Sequence, residues 1–315
     1  MLEAENGGNI MYNFLSLLAG VIITFMIAVN GGLTAQYGVF GAAVIIHAAG
    51  VLFAFPLLKL LPTRSRKKKE KIPYWLYTGG MIGVLTTAFS NFVFGKISIT
   101  GIIALGLLGQ AIASLVIDWL GLFGMTAYPP KKHTLAGLVL AFLGIAVMLS
   151  HSFYGTALPV LISLLSGITV VLSRTVNAGL SKRTGALKGS FINHLAGLPV
   201  TLILLFLLGR KEPIFENFIF SYHIWIYFGG ILGVVTVLLF NVTVPKIPAF
   251  RLTLLTFTGQ IFTGILLDLI TQKGFSTTTF WGGLLVAAGV GITMAGEQLS
   301  LLLLNKSPAS GKSAL

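Results

Sequence analysis

Ten stretches of about 20 mostly apolar residues follow one another along the chain. They run roughly over 13–35, 39–60, 74–94, 98–120, 134–151, 157–180, 189–208, 224–243, 249–270 and 280–303. At a rise of about 1.5 Å per residue, each is long enough to cross a hydrocarbon layer about 30 Å thick as a helix. The runs are continuous rather than alternating and too long for barrel strands, which argues against a membrane β-barrel. Only 9% of the 315 residues are charged, against about 25% in soluble domains. The expected class is therefore an all-α polytopic membrane protein with ten transmembrane helices. A soluble enzyme, a secreted disulfide scaffold and a disordered chain are excluded. Cysteine is absent, so no disulfide framework or thiolate metal site is expected. The first ten residues carry Glu3 and Glu5 and no basic residue. That is a poor signal-peptide start, and the first apolar run is expected to stay in the mature protein.

The net charge of +13 resembles a nucleic-acid footprint until it is sorted by loop. The most basic connection holds Arg64, Arg66, Lys67, Lys68, Lys69 and Lys71, with Lys59 just before it. Directly after a membrane helix, such a cluster reads as a cytoplasmic anchor to anionic lipid, and no nucleic-acid partner is expected. With ten helices, the connections on the side of the termini hold 16 Lys and Arg, the opposite side holds 4, and Arg174 lies inside the sixth segment. The positive-inside rule then places both termini in the cytoplasm.

The two halves repeat one another. At an offset of 147, Gly20 meets Gly167, Asn30 meets Asn177, Leu33 meets Leu180, Gly38 meets Gly185, His47 meets His194 and Gly50 meets Gly197. At an offset of 150, Trp75 meets Trp225, Gly79, Gly80 and Gly83 meet Gly229, Gly230 and Gly233, and Asn91 meets Asn241. At the same offset Gly109-Gln110 meets Gly259-Gln260 and Asp118 meets Asp268. Farther on, Gly137 and Gly144 meet Gly282 and Gly289. Paired His, Trp, Gln and Asp in one order mark an internal duplication. The expected domains are residues 1–153 and 154–315, each of five helices. An odd number of crossings makes the second unit start on the opposite side, so the repeats are expected to be inverted. The charges agree: the loop after the second helix is the strongly basic one in the first repeat, and its counterpart holds only Arg210 and Lys211. Inverted repeats supply two similar states facing opposite sides, the basis of alternating access in secondary transporters.

The arrangement resembles the drug/metabolite transporter superfamily. Asn30-Gly-Gly-Leu33, His47-Ala-Ala-Gly50, Trp75-Leu-Tyr-Thr-Gly-Gly-Met-Ile-Gly83 and Gly109-Gln110 with Asp118 resemble its YdcZ-like branch, and each motif recurs in the second half. The resemblance implies the fused form of a family that also occurs as single five-helix units. It implies a bacterial inner-membrane transporter, described as an exporter, whose substrate it does not name. Pro245 where the first repeat has Gly95, and Arg174 where it has Ile27, depart from strict symmetry.

Gln110 and Gln260 lie near the midplane, a depth favoured by transporter sites, where an amide would donate to and accept from a polar solute. The structural alternative is an interhelical hydrogen bond beside Gly109 and Gly259. Asp118 and Asp268 follow eight residues later, about 12 Å along the axis, and suit gating or proton coupling, with solvated caps as the alternative. Arg174, Glu297 and Asp118 lie at similar depth and are expected to form a cytoplasmic-side charge cluster, with snorkelling as the alternative for Arg174. His47 and His194 suit proton transfer or substrate contact, against a bland backbone bond. Asn30 and Asn177 suit polar contact with substrate, and for them as for Asn91 and Asn241 the default role is capping or helix packing. No resident metal or cofactor is expected, because no His pairs with a second ligand at helical spacing and no ATP-binding or catalytic motif is present.

The sequence thus reads as a secondary transporter, not an enzyme, that exports a small organic metabolite or drug, with protons as a candidate coupling ion. A channel or lipid-scramblase facilitator of the same fold, or a membrane sensor or partner protein, are the alternatives. Membrane lipids are partners in every case, and a monomer or homodimer is expected.

Overall fold

A computed structural model describes residues 2–61, 71–93, 99–149, 157–216, 219–270 and 277–306. Among them every regular element is helical and no strand occurs. The helices are α1 (Leu2–Tyr37), α2 (Val39–Leu60), α3 (Gly79–Val93), α4 (Ile99–Leu120), α5 (Lys132–Leu149) and α6 (Ala157–Thr184). They continue with α7 (Ala186–Leu208), the single turn α8 (Pro213–Glu216), α9 (Gly229–Thr243), α10 (Ala249–Ile270) and α11 (Thr277–Lys306). Five-residue 3-10 helices at Tyr74–Thr78 and Ile224–Phe228 run directly into α3 and α9, so Trp75 and Trp225 occupy equivalent entries. Among the described residues seven helical stretches are long and apolar enough to cross a membrane: Ile10–Tyr37, Val39–Leu60, Ala157–Thr184, Ala186–Leu208, Ile224–Thr243, Ala249–Leu267 and Phe280–Ser300. Ala104–Leu120 and Lys132–Met148 are shorter apolar helices. In a bilayer no water is available to peptide groups, so backbone bonds closed within each helix are the stable arrangement. Most of the basic connection, Arg64 to Lys69, lies outside the described residues, as do Lys96 and the side chains of Asn91 and Asp268.

Single glycines reverse the chain at matching places. Gly38 separates α1 from α2 with φ 81°, and Gly185 separates α6 from α7 with φ 96°. Side chains with a Cβ resist that left-handed region, so a helix ends there without a loop. The turn at Gly38 is further fixed by Glu212, whose carboxylate accepts from the amides of Val39 and Gly41 at 2.8 Å and of Phe40 at 3.0 Å. These are free N–H groups of the first turn of α2, which carry partial positive charge.

Close helix contacts also come in matched pairs. A Cβ on Gly20 in α1 would collide with the Thr256 carbonyl oxygen and lie 2.9 Å from the Gln260 amide nitrogen of α10. A Cβ on Gly167 in α6 would collide with the Gly106 carbonyl oxygen and lie 2.9 Å from the Gln110 amide nitrogen of α4. Gly259 presses on Leu17 of α1 as Gly109 presses on Leu164 of α6. Small residues let backbones approach where lipid supplies no hydrophobic drive between helices. α5 and α11 pack through a ladder of the same kind, Gly137 against the Gly289 carbonyl and Gly144 against that of Gly282.

The division of labour follows. The largest dry cluster is built mainly from α4, α5, α10 and α11, with Leu107, Ala141, Ile145, Met148, Leu252, Leu254 and Val286 among its buried members. The other long helices, α1, α2, α3, α6, α7 and α9, surround a cavity.

Candidate functional site

The cavity measures about 350 Å³, within the roughly 300–1,000 Å³ range of small-molecule sites. Its walls come from equivalent positions of both halves. Met26 faces it with Ser173, Asn30 with Asn177, Ile46 with Asn193 and His47 with His194. From α3 and α9, Gly83 pairs with Gly233, Thr86 with Thr236 and Thr87 with Val237. Arg174 and Phe240 join without matching partners in the lining.

The histidines sit where α2 crosses α7. His47 Nδ1 lies 2.9 Å from the Ala43 carbonyl oxygen and His194 Nδ1 3.0 Å from that of Ser190, each one turn back on its own helix. A carbonyl only accepts, so each Nδ1 is assigned the proton, and a neutral ring keeps Nε2 as an acceptor. The ring centroids are 5.7 Å apart. Each ring rests on the other helix's glycine: a Cβ on Gly50 would collide with the His194 ring, and one on Gly197 with the His47 ring. The recurring His-x-x-Gly spacing thus has a packing cause. Each helix brings one ring and, three residues later, the hollow that receives its partner's ring.

The asparagines follow the same logic with one difference. A Cβ on Gly229 would collide with the Asn30 amide oxygen, and one on Gly79 with that of Asn177. Asn177 Nδ2 donates to Asn193 Oδ1 at 2.7 Å. The position equivalent to Asn193 is Ile46, and the buried Oδ1 of Asn30 has no protein partner. Thr86 and Thr169 share a hydroxyl bond of 2.9 Å, whereas the buried Thr236 hydroxyl has none.

The charged residues expected to meet are close enough for Asp118 to feel both Arg174 and Glu297 electrostatically, but each makes its short contacts with other partners. Asp118 accepts from the amides of Ala249 at 2.7 Å and Phe250 at 2.8 Å, so it caps the start of α10. Glu297 pairs with Arg251, which lies in the first turn of α10. Arg174 is 4% exposed. Its Nη2 donates to Ser114 Oγ at 3.1 Å, to the Ala249 carbonyl at 3.2 Å and to Thr253 Oγ1. Among the described residues no ion pair joins Arg174 to Asp118 or Glu297. Asp118 and Arg174 instead hold two sides of Ala249.

Gln110 and Gln260 lie near the middle of the 22-residue helices α4 and α10, where their backbones pack against Gly167 and Gly20. Both side chains are half-buried, and neither lines the cavity. Asp268 falls on α10, with its side chain outside the described residues. Asn241 donates to the Ala186 carbonyl at 2.9 Å, tying α9 to the start of α7. The sequence reading did not single out Thr86, Thr236, Asn193 or Phe240. The first two are visible as another pair at the 150-residue offset. Among the described residues no cluster of three His, Asp or Glu side chains could hold a metal ion.

A family model described as "Putative inner membrane exporter, YdcZ" matches the chain twice, over residues 11–147 and 158–292. One solved structure, described only as "Crystal structure of protein", is similar with a TM-score of 0.67 at 11% identity, covering 92% of this chain and 97% of its own. At that identity the likeness bears on the fold alone. No curated protein matches the sequence.

Proposed function

This chain belongs to the YdcZ family of inner membrane exporters, in the form that carries the unit twice, and from that premise we propose that it is a secondary carrier working by alternating access. In this reading ten helices form two inverted five-helix repeats, with both termini cytoplasmic. A small organic solute binds in the cavity between the repeats and leaves on the outer side. The observation that carries the proposal is the cavity wall, to which seven pairs of equivalent positions of the two halves contribute. If the repeats point in opposite directions, exchanging their two conformations converts an opening on one side into one on the other. The dry α4, α5, α10 and α11 cluster then serves as the frame against which the six cavity helices move. With Asp118 and Glu297 held in fixed contacts, His47 and His194 are the titratable pair that reaches the cavity, and we assign proton coupling to them.

Counterflow tests this. Purified protein in liposomes preloaded with a solute drawn from a thermal-shift screen of metabolites should concentrate labelled solute transiently, with saturation. A channel or scramblase gives equilibration without counterflow, and a sensor gives neither. Counterflow insensitive to an imposed pH gradient would remove the proton assignment and leave the carrier.

A further inference from the structure

We propose that the cavity takes an organic anion, whose negatively charged head is held by the part of the Arg174 guanidinium that has no partner within the protein. The proposal rests on the carrier reading and names the substrate class of its site. Nη2 of Arg174 is surrounded by Ser114, Thr253 and Ala249. Nε and Nη1 are buried and have no hydrogen-bond partner. Arg174 lines the cavity, together with Phe240, whose ring centre is 5.8 Å from the guanidinium carbon.

A guanidinium stays charged, and burying an unpaired charge inside a membrane protein is costly. Neutralisation from within the chain is incomplete at this site: Asp118 attracts the guanidinium electrostatically but makes no ion pair with it. Among the described residues the cavity lining contains no carboxylate. Asp118 is occupied by the α10 amides and Glu297 by Arg251. Arg174 therefore borders a space of about 350 Å³ with two buried donor nitrogens that no protein group satisfies, and an anion toward which the side chain shifts supplies both the acceptors and the counter-charge. Asn177 and His194 stand in the same wall as further polar contacts, while Phe240, Val237 and Met26 give apolar surface for a carbon body. The site is one-sided: Ile27, equivalent to Arg174, is 59% exposed on the outside of α1. Among the described residues Arg174 is the one cationic group in the lining, so the anion sits off the pseudo-twofold axis, against α6.

The test uses the full chain in phosphatidylcholine nanodiscs, with benzoate and phenyl phosphate as anionic probes, benzamide as neutral and benzylamine as cationic. Saturable upward shifts of the unfolding midpoint are expected with the anions only, since a ligand that binds the folded state stabilises it. R174Q should weaken anion binding about tenfold or more, the scale of a lost charge-assisted bond. F240E, which keeps the arginine and sets a carboxylate beside it, should weaken it likewise. A shift confined to benzoate or to phenyl phosphate supports the site and identifies the head group. A shift produced by phosphatidylglycerol nanodiscs, and lost in R174Q, supports it with a lipid head group as source. No shift with any anion, equal shifts with benzamide, or an anion shift that persists in R174Q overturns it. Anion binding without counterflow would end the carrier reading alone. Counterflow of a neutral solute, unchanged by R174Q, would end the anion reading alone.

Discussion

The crossing of α2 and α7 yields the sharpest quantitative prediction, because each glycine there is fixed by one ring. A Cβ on Gly50 would overlap the His194 ring, with Cγ at 2.7 Å and Nε2 at 2.9 Å. The ring has nowhere easy to go. It is 3% exposed, tied at Nδ1 to Ser190, and its Nε2 lies 3.1 Å from the Cβ position of Gly233. Gly50→Ala must therefore displace the ring or part the helices, at about 1–3 kcal/mol for overpacking. Loss of the Nδ1 bond adds about 1 kcal/mol, and the alanine returns about 0.5–1 kcal/mol of helix propensity. The expected net destabilisation is about 1–3 kcal/mol, readable by equilibrium unfolding in mixed micelles. Adding His194→Ala removes the obstacle, so the double variant should be more stable than the sum of the singles by about 1–3 kcal/mol. Gly31 is the control: nothing lies within 4 Å of its Cβ position, and Gly31→Ala should be neutral or stabilising by up to about 1 kcal/mol. Equal behaviour of Gly50→Ala and Gly31→Ala, or strict additivity with His194→Ala, would refute the reciprocal nest.

Asp118→Ala should cost about 1–2 kcal/mol as a lost helix cap and raise hydrogen exchange at the Ala249 and Phe250 amides, with Asp118→Asn milder. Glu297→Gln strands a cation that is 9% exposed and should cost about 3–5 kcal/mol, whereas Arg251→Met with Glu297→Leu should recover most of the loss, both read by unfolding. Gly144→Ala sets a methyl onto the Gly282 carbonyl and 2.9 Å from Val286 Cγ2. It should destabilise the α5–α11 contact by about 1–3 kcal/mol, and a compensating truncation, Val286→Ala, should not restore it because the obstacle is backbone.

Much of this is legible in the sequence because it depends on position along the chain. Apolar runs give helix existence, and the offsets of 147 and 150 tie Gly38 to Gly185 and His47 to His194 before any coordinates are known. What stays hidden depends on rotation about helix axes and on distant partners. Gln110 and Gln260 lie in the middle of their helices as their positions require, yet the backbone beside them packs on Gly167 and Gly20, and place along a helix says nothing about which way a side chain faces. Arg251 looks like a loop charge because it falls next to the edge of an apolar window. Its partner Glu297 is one helix farther on, with nothing in the local sequence linking the two. Arg174 is conspicuous as a charge within an apolar run, but its half-satisfied state follows from Ser114 and Thr253, contributed by two other helices.

Alternating access requires equivalent ends of the two halves to open and close in opposition around the shared cavity. The native chain has no cysteine, so spin labels can be placed without background. One labelled pair at Phe40 and Ile224 and a second at the equivalent positions, Leu187 and Tyr74, report the two ends. Pulsed electron-resonance distances, measured with and without a transported solute, should shift in opposite senses for the two pairs. Distances that stay fixed in both pairs, or lengthen together, would contradict alternating access.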